Sequence, residues 1–481
     1  MHSVPAVKKN IGQLPRASYP VKVLQFGSGN FLRGFVDWML QKMNGKLNFN
    51  AGVSVIQSIS RSETLQNQQG VYTVILKGFR DNEFVNEQMK IDVIQRVINP
   101  TTDFKAFLEE GHNPDLQFIF SNTTEAGIEF MPADESVNTL SSTFPGKLTQ
   151  LLLTRFNNNL NNNLIVLPTE LIENNGNELK TMVHKYVHHW SLPISFVHWL
   201  DAHVTFCNTL VDRIVSGFPK KQKEVLFEEL GYVDELVVEG EVFHLWVIEG
   251  PRWIEEVLPL RKAGFNVIFT NDLAPYRVRK VRILNGAHTS MALVGHQLGL
   301  HTVREAIEDT TLGNFLRRLI YDEIIPQIPG ELNELEEYAN EVINRFRNPA
   351  IDHKLESILL NSFSKFKVRV LPSLIDNLEK NGSVPERLSF VLAALLHYFR
   401  GTTKEVAIKD SNDIVLLMKE AWTNTPLTET GILQLTEQIL GQPIWGMDLK
   451  KYPALTIQTS HRLFAMVSYG MLESLKQLEK K

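Results

Sequence analysis

The residues best placed to do chemistry lie in YRVRKVRILNGAHTSMAL (276–293). At about 100° per residue, Lys280, Asn285 and His288 fall within roughly 140° of one helical face, while Ile283, Leu284 and Ala287 are free to pack elsewhere. An amine, a carboxamide and an imidazole on one wall can exchange a proton with an oxygen and hold it as charge develops. Burial near Arg279 and Arg282 would push the lysine toward a pKa useful for that work. The competing reading is a solvated lysine in a basic surface stripe, a capping asparagine and a core histidine.

A second stretch, VLQFGSGNFLRGFVDWML (23–40), begins like a nucleotide-binding strand and turn. Val23, Leu24 and Phe26 suit a short buried strand. Gly27 and Gly29 allow a sharp turn and a close approach to a pyrophosphate, and Asn30 opens a helix whose first N–H groups would face the anion. Leu32 stands where the usual fingerprint has its third glycine, so two glycines in an ordinary turn remain the alternative. Ser121, Asn122, Thr123, Thr124 and Glu125 follow an apolar run at 116–120, on the carboxyl edge where α/β sheets bind ligands. After the run at 53–59 come Ser60 and Arg61 rather than an acidic residue, so the choice between NAD and NADP stays open.

These residues need elements to hold them. Apolar runs at 53–59, 116–120 and 164–167 read as buried parallel strands, with helical patterns at 104–110 and 145–156 between them. Beyond, 306–325, 332–346, 351–366, 385–399 and 431–440 show three-and-four spacing with few candidate strands. The change falls near Asn271, where NDLAP opens a new helical pattern. The expected fold is α/β: a Rossmann-type dinucleotide-binding domain over 1–271, then a mainly α-helical substrate and catalytic domain over 272–481. FNNNLNNNL (156–164) reads as a polar connection.

The 481 residues suffice for two cores, and 43% hydrophobic with 21% charged residues is ordinary for a globular protein. A net charge of −5 argues against nucleic acid or an anionic membrane as partner. Cys207 is the one cysteine, which excludes an intrachain disulfide and a thiolate zinc cluster and fits a reducing compartment, the cytoplasm. No apolar run is long enough to span a bilayer.

Three motifs in order resemble those of the mannitol dehydrogenase family, the polyol-specific long-chain dehydrogenases. K-x4-N-x2-H is matched by Lys280, Asn285 and His288; G-x-G-x-F-x-R by Gly27, Gly29, Phe31 and Arg33; and V-D-R-I lies within VTFCNTLVDRIVS (204–216). FSNTTEAGI (120–128) and RFRNPAIDHKL (345–355) are similar to segments of members acting on hexuronates. The resemblance implies zinc-independent, reversible hydride transfer, tagaturonate and NADH giving altronate and NAD, in a family whose members are often monomers. It makes Lys280 the general acid/base and Asn285 and His288 the holders of the oxyanion, and it accounts for Leu32. It sets Phe26, Gly27, Gly29, Asn30, Phe31, Arg33 and residues 121–125 at the cofactor, and Asn175 and Asp212 at the substrate. An ion pair of Asp212 with Arg213 is the alternative for that carboxylate. The family commonly continues N-P-x-I with Asp-Thr and then Arg; here Asn348 and Pro349 are followed by His353, Lys354 and Ser357. Arg347, His353, Lys354 and Lys365 would therefore offer partners to a sugar-acid carboxylate that a neutral polyol lacks. Fructuronate reduction, mannitol-type polyol oxidation and a non-catalytic nucleotide or sugar-acid sensor are the rival readings.

Overall fold

The computed structural model describes residues 9–57, 63–80, 83–123, 127–220, 223–401 and 408–480. The chain divides into two compact units, Met1–Leu273 and Ala274–Lys481.

Thirteen strands are found among the described residues of the first unit: β1 (Val21–Phe26), β2 (Gly52–Ile56), β3 (Tyr72–Arg80), β4 (Glu83–Ile91), β5 (Ile94–Ile98), β6 (Phe118–Ser121), β7 (Leu164–Pro168), β8 (Val204–Phe206), β9 (Asn208–Asp212), β10 (Val215–Gly217), β11 (Val238–Glu241), β12 (Leu245–Glu249) and β13 (Val267–Thr270). Six form one sheet in the order β5-β2-β1-β6-β7-β8, every neighbouring pair parallel. Taken along the chain, its strands run third, second, first, fourth, fifth, sixth, the doubly wound order whose direction reverses between β1 and β6. Side chains alternate between two cores, as a pleated strand requires. Val23, Phe118 and Phe120 face one core; Leu24, Phe26 and Ile119 face the other. Each is buried, worth about 1.5–3 kcal/mol per large side chain. Helices Phe144–Asn157 and Asn175–His189 cover the second face. The β3–β4 hairpin interrupts the winding and joins β10 and β11 in a four-stranded sheet, while β9, β12 and β13 form a three-stranded one.

The second unit is helical. Its central helix, Gly286–Gln297, is buried from Gly286 to His296 and packs against Leu355–Leu359, Ser362–Arg369 and Glu386–Tyr398. Two helices expected to be continuous are broken. Over 306–325, Asp309 ends Val303–Glu308 and caps Thr310–Arg318, its carboxylate accepting from Thr311 and Leu312. Over 351–366, Asn361 adopts a left-handed φ of 54° between Leu355–Leu359 and Ser362–Arg369. No helix among the described residues is long and apolar enough to cross a membrane.

Candidate active site

The turn after β1 has the shape a dinucleotide requires. Gly27 sits at φ +112°, and a Cβ there would lie 3.3 Å from the Asn122 carbonyl oxygen and 3.5 Å from Leu32 Cδ1. Its N–H donates to Ile56 O at 3.0 Å, tying the turn to β2. Leu32 is fully buried and fills the space beneath the turn where a third glycine would admit closer packing. Gly29 caps Asn30–Gly34 without any side-chain cap, and a Cβ there would meet nothing within 4 Å. Open backbone N–H groups at a reversal of strand order suit a pyrophosphate. Phe31 stacks on Phe35 at 4.9 Å.

Arg33 is turned inward, to Ser28 O at 3.1 Å, Asn30 Oδ1 at 2.7 Å and Leu236 O. The guanidinium expected at the cofactor thus braces the turn. Burial lowers its pKa from the ordinary value, opposed by Tyr72, Asp37 and Asp234. Behind it, Asp37 is enclosed and accepts from the Tyr72 hydroxyl at 2.9 Å, burial pushing its carboxyl up to about 7.

The loop after β6 is held from β7. Ser121 Oγ donates to Glu170 Oε2 at 3.0 Å, the Thr123 N–H and hydroxyl to Glu170 Oε1 at 2.8 and 2.9 Å, and Asn122 to Thr169. Thr169 and Glu170 were missed in the sequence, although they follow a buried strand just as Ser121 and Asn122 do. Thr124, Glu125, Ser60 and Arg61 lie outside the described residues.

In the second unit the spacing argument needs a correction. Lys280–Asn285 is a π-helix, with Gly286 N–H reaching Val281 O. A turn that closes at i+5 brings positions 280 and 285 closer to one face, where a regular α-helix would splay them by roughly 140°. His288 follows three residues later on the α-helical continuation. Ile283, Leu284 and Ala287 are buried, as expected, and Lys280 and Asn285 are half-buried. The crowding is tight: a Cβ on Gly286 would lie 3.0 Å from Arg369 O. His288 is 9% exposed. Its ring stacks on Phe346 at 4.4 Å and meets His353 edge to face at 5.1 Å. Of the neighbouring arginines, Arg282 is ion-paired with Asp376, and Arg279 lies over Tyr338 at 4.5 Å.

Among the residues expected at the substrate, the structure brings His353 to His288. Lys365 is close enough for its charge to act on His353, whose pKa is lowered by burial first and then by that charge. Lys354 turns away into an exposed ion pair with Asp352 at 2.9 Å, and Arg347 is exposed at the end of Leu332–Phe346. Arg345 and Asn348 are the buried polar groups of that stretch. Arg345 continues the Tyr338, Val342 stripe at helical spacing, a signal present in the sequence.

Asn175 is corrected more firmly. It is fully buried, its amide donating to Pro168 O, Glu170 O and Thr209 O at 3.0–3.1 Å while its oxygen accepts from Thr209 N at 2.8 Å. The group is spent on joining the ends of β7 and β9. The following Gly176 is obligatory, since a Cβ would lie 2.2 Å from Cys207 O. Asp212 ends β9 opposite Leu245 and is 6% exposed. Arg213 directs its guanidinium onto Gly34 O, Val242 O and Phe243 O and over Trp38, burial bringing it down to about 9.

Residues 21–262 match the mannitol dehydrogenase Rossmann domain and 272–467 the mannitol dehydrogenase C-terminal domain. An altronate oxidoreductase of Bacillus subtilis is 43% identical over 465 residues, 95% of each chain, and one of Shigella flexneri is 40% identical over 478, covering 98% of this chain and 99% of that one. Among solved structures, a mannitol 2-dehydrogenase of Pseudomonas fluorescens, in ternary complex with NAD and D-mannitol, superposes with a TM-score of 0.72 at 21% identity, covering 99% of this chain and 98% of the other. A D-sorbitol dehydrogenase in substrate-free form gives 0.80 at 20%, covering 98% of both. The chain belongs to the mannitol dehydrogenase family. It is an oxidoreductase using a nicotinamide dinucleotide.

Proposed function

We propose that this enzyme interconverts tagaturonate and altronate, using NADH and NAD, with Lys280 as general acid/base and Asn285 and His288 as donors to the reacting oxygen. The substrate follows the relatives at 40–43% identity over nearly the whole chain, both named for altronate. The observation that supports the mechanism is the π-turn over Lys280–Asn285, which narrows the angle between those two positions and runs into the helix that carries the buried His288.

When bound, reduced nicotinamide supplies the hydride that the ketone carbon accepts. The Lys280 ammonium gives its proton to the carbonyl oxygen, and in the reverse direction the amine takes it from the alcohol. As negative charge grows on that oxygen, the Asn285 amide and an N–H of His288 stabilise it. Phe346, stacked on the His288 ring, holds it against rotation. In the first unit, Gly27 makes the sharp turn, Gly29 gives the pyrophosphate open backbone, and Glu170 and Thr169 keep the Ser121–Asn122–Thr123 loop in place. NAD is the nucleotide that the family resemblance supports, and the use of a single cysteine, Cys207, fits the cytoplasm.

The test is a panel of tagaturonate, fructuronate and fructose, each with NADH and with NADPH, followed by nucleotide absorbance. Tagaturonate with NADH should give the highest kcat/KM. A higher value for fructuronate or fructose overturns the substrate, and a preference for NADPH overturns the nucleotide.

A further inference from the structure

His288 and His353 meet from different parts of the second unit, their rings edge to face at 5.1 Å and 83°. The segment carrying His353 is clamped. Its carbonyl accepts from Val303 N at 2.9 Å, Leu355 N donates to His301 O at 2.9 Å, and Thr302 and Lys354 form an antiparallel bridge between them. The imidazole therefore starts from a fixed backbone.

Within the ring, Nδ1 is enclosed and makes no hydrogen bond among the described residues. An enclosed N–H lacking an acceptor costs more than a lone pair lacking a donor, which favours the tautomer with Nδ1 bare and the proton on Nε2. Burial and the charge of Lys365 both hold the ring in that neutral form. Lys365 is itself anchored, its Nζ donating to Ile358 O at 2.8 Å. A fixed Nε2–H donor beside an anchored cation is an arrangement suited to an anion.

We propose that His353 is a specificity-determining residue, donating from Nε2 to the carboxylate of the sugar acid whose ketone oxygen is held at His288. This rests on the reaction assigned above. His288 then serves the end that reacts and His353 the end that is recognised.

Steady-state kinetics of tagaturonate reduction by the full chain, comparing wild type, His353→Leu and His353→Gln, test this. NADH affinity and thermal melting are measured on the same preparations to establish folding. Removing one hydrogen bond to a charged group should raise the KM for tagaturonate at least about tenfold in His353→Leu, with kcat within about threefold. Glutamine places an amide N–H near the position of Nε2 and should recover most of that loss. An unchanged KM in His353→Leu overturns the proposal, as does a fall in kcat with KM unchanged, which would put the ring in the service of His288 alone. A Gln variant no better than Leu also overturns it. Absence of tagaturonate turnover in the wild type would instead remove the assigned reaction and this role together.

Discussion

The two glycines of the first turn separate cofactor contact from folding, because the protein surrounds one and leaves the other open. In Gly29→Ala the backbone, at φ −65° and ψ 163°, is ordinary for alanine, and the new methyl meets nothing within 4 Å. Stability should stay within about 1 kcal/mol, the less flexible unfolded chain offsetting the poorer N-cap. The methyl would, however, occupy the approach that a pyrophosphate needs, and we expect the Kd for NADH to rise at least about tenfold, about 1.4 kcal/mol. Gly27→Ala is different. At φ +112°, with Asn122 O 3.3 Å from the added carbon, an L-residue costs about 1–3 kcal/mol, and at about 2–4 °C per kcal/mol the melting temperature should fall by several degrees. Fluorescence titration with NADH and thermal melts of both variants make the comparison. If Gly29→Ala binds NADH like the wild type, the turn is not the pyrophosphate site.

Other expectations follow from buried groups. The Asp37 carboxyl is raised from its ordinary value of 3.8 to about 7, so the folded state holds its proton more tightly than the unfolded state does. Its ionisation cost is absent below about pH 4, grows between about pH 4 and 7, and is complete above that, up to about 4 kcal/mol. Asp37→Asn, which can still accept from Tyr72, should exceed the wild type in urea stability near pH 8 and match it near pH 4; a constant difference across that range would contradict the linkage. Gly176→Ala, with its carbon 2.2 Å from Cys207 O, should lose at least about 3 kcal/mol in urea unfolding, and a loss below about 1 kcal/mol would mean that the β7 and β9 ends are not locked together. Asn285→Ala should lower kcat by about 10²–10³, and a loss confined to KM would remove it from the oxyanion.

Much of this was legible in the residues, for physical reasons. The buried parallel strands at 118–121 and 164–168 announce themselves because both faces are apolar. β4 was invisible, since it mixes charged and apolar residues on a half-exposed edge without clean alternation, whereas the apolar run of its partner β3 was there to be read. The breaks at Asp309 and Asn361 were hidden because apolar spacing continues across them to one core, although an aspartate two and three residues before the N–H groups it caps was there to be read. Lys280, Asn285 and His288 stand out by type and spacing, but fixed 3.6-residue periodicity cannot express a π-turn, so the backbone form of 280–285 came only from the structure. Asn175 was misplaced because an Asn-Gly pair reads alike whether its amide faces a ligand or three carbonyls.

Lys280 decides the account. In Lys280→Ala, turnover of tagaturonate with NADH should drop at least about a hundredfold, the contribution of a positioned acid, while fluorescence titration returns an NADH Kd within about twofold of the wild type. Turnover within threefold of the wild type would mean that the proton comes from elsewhere and that the wall built on the π-turn is not where the reaction occurs.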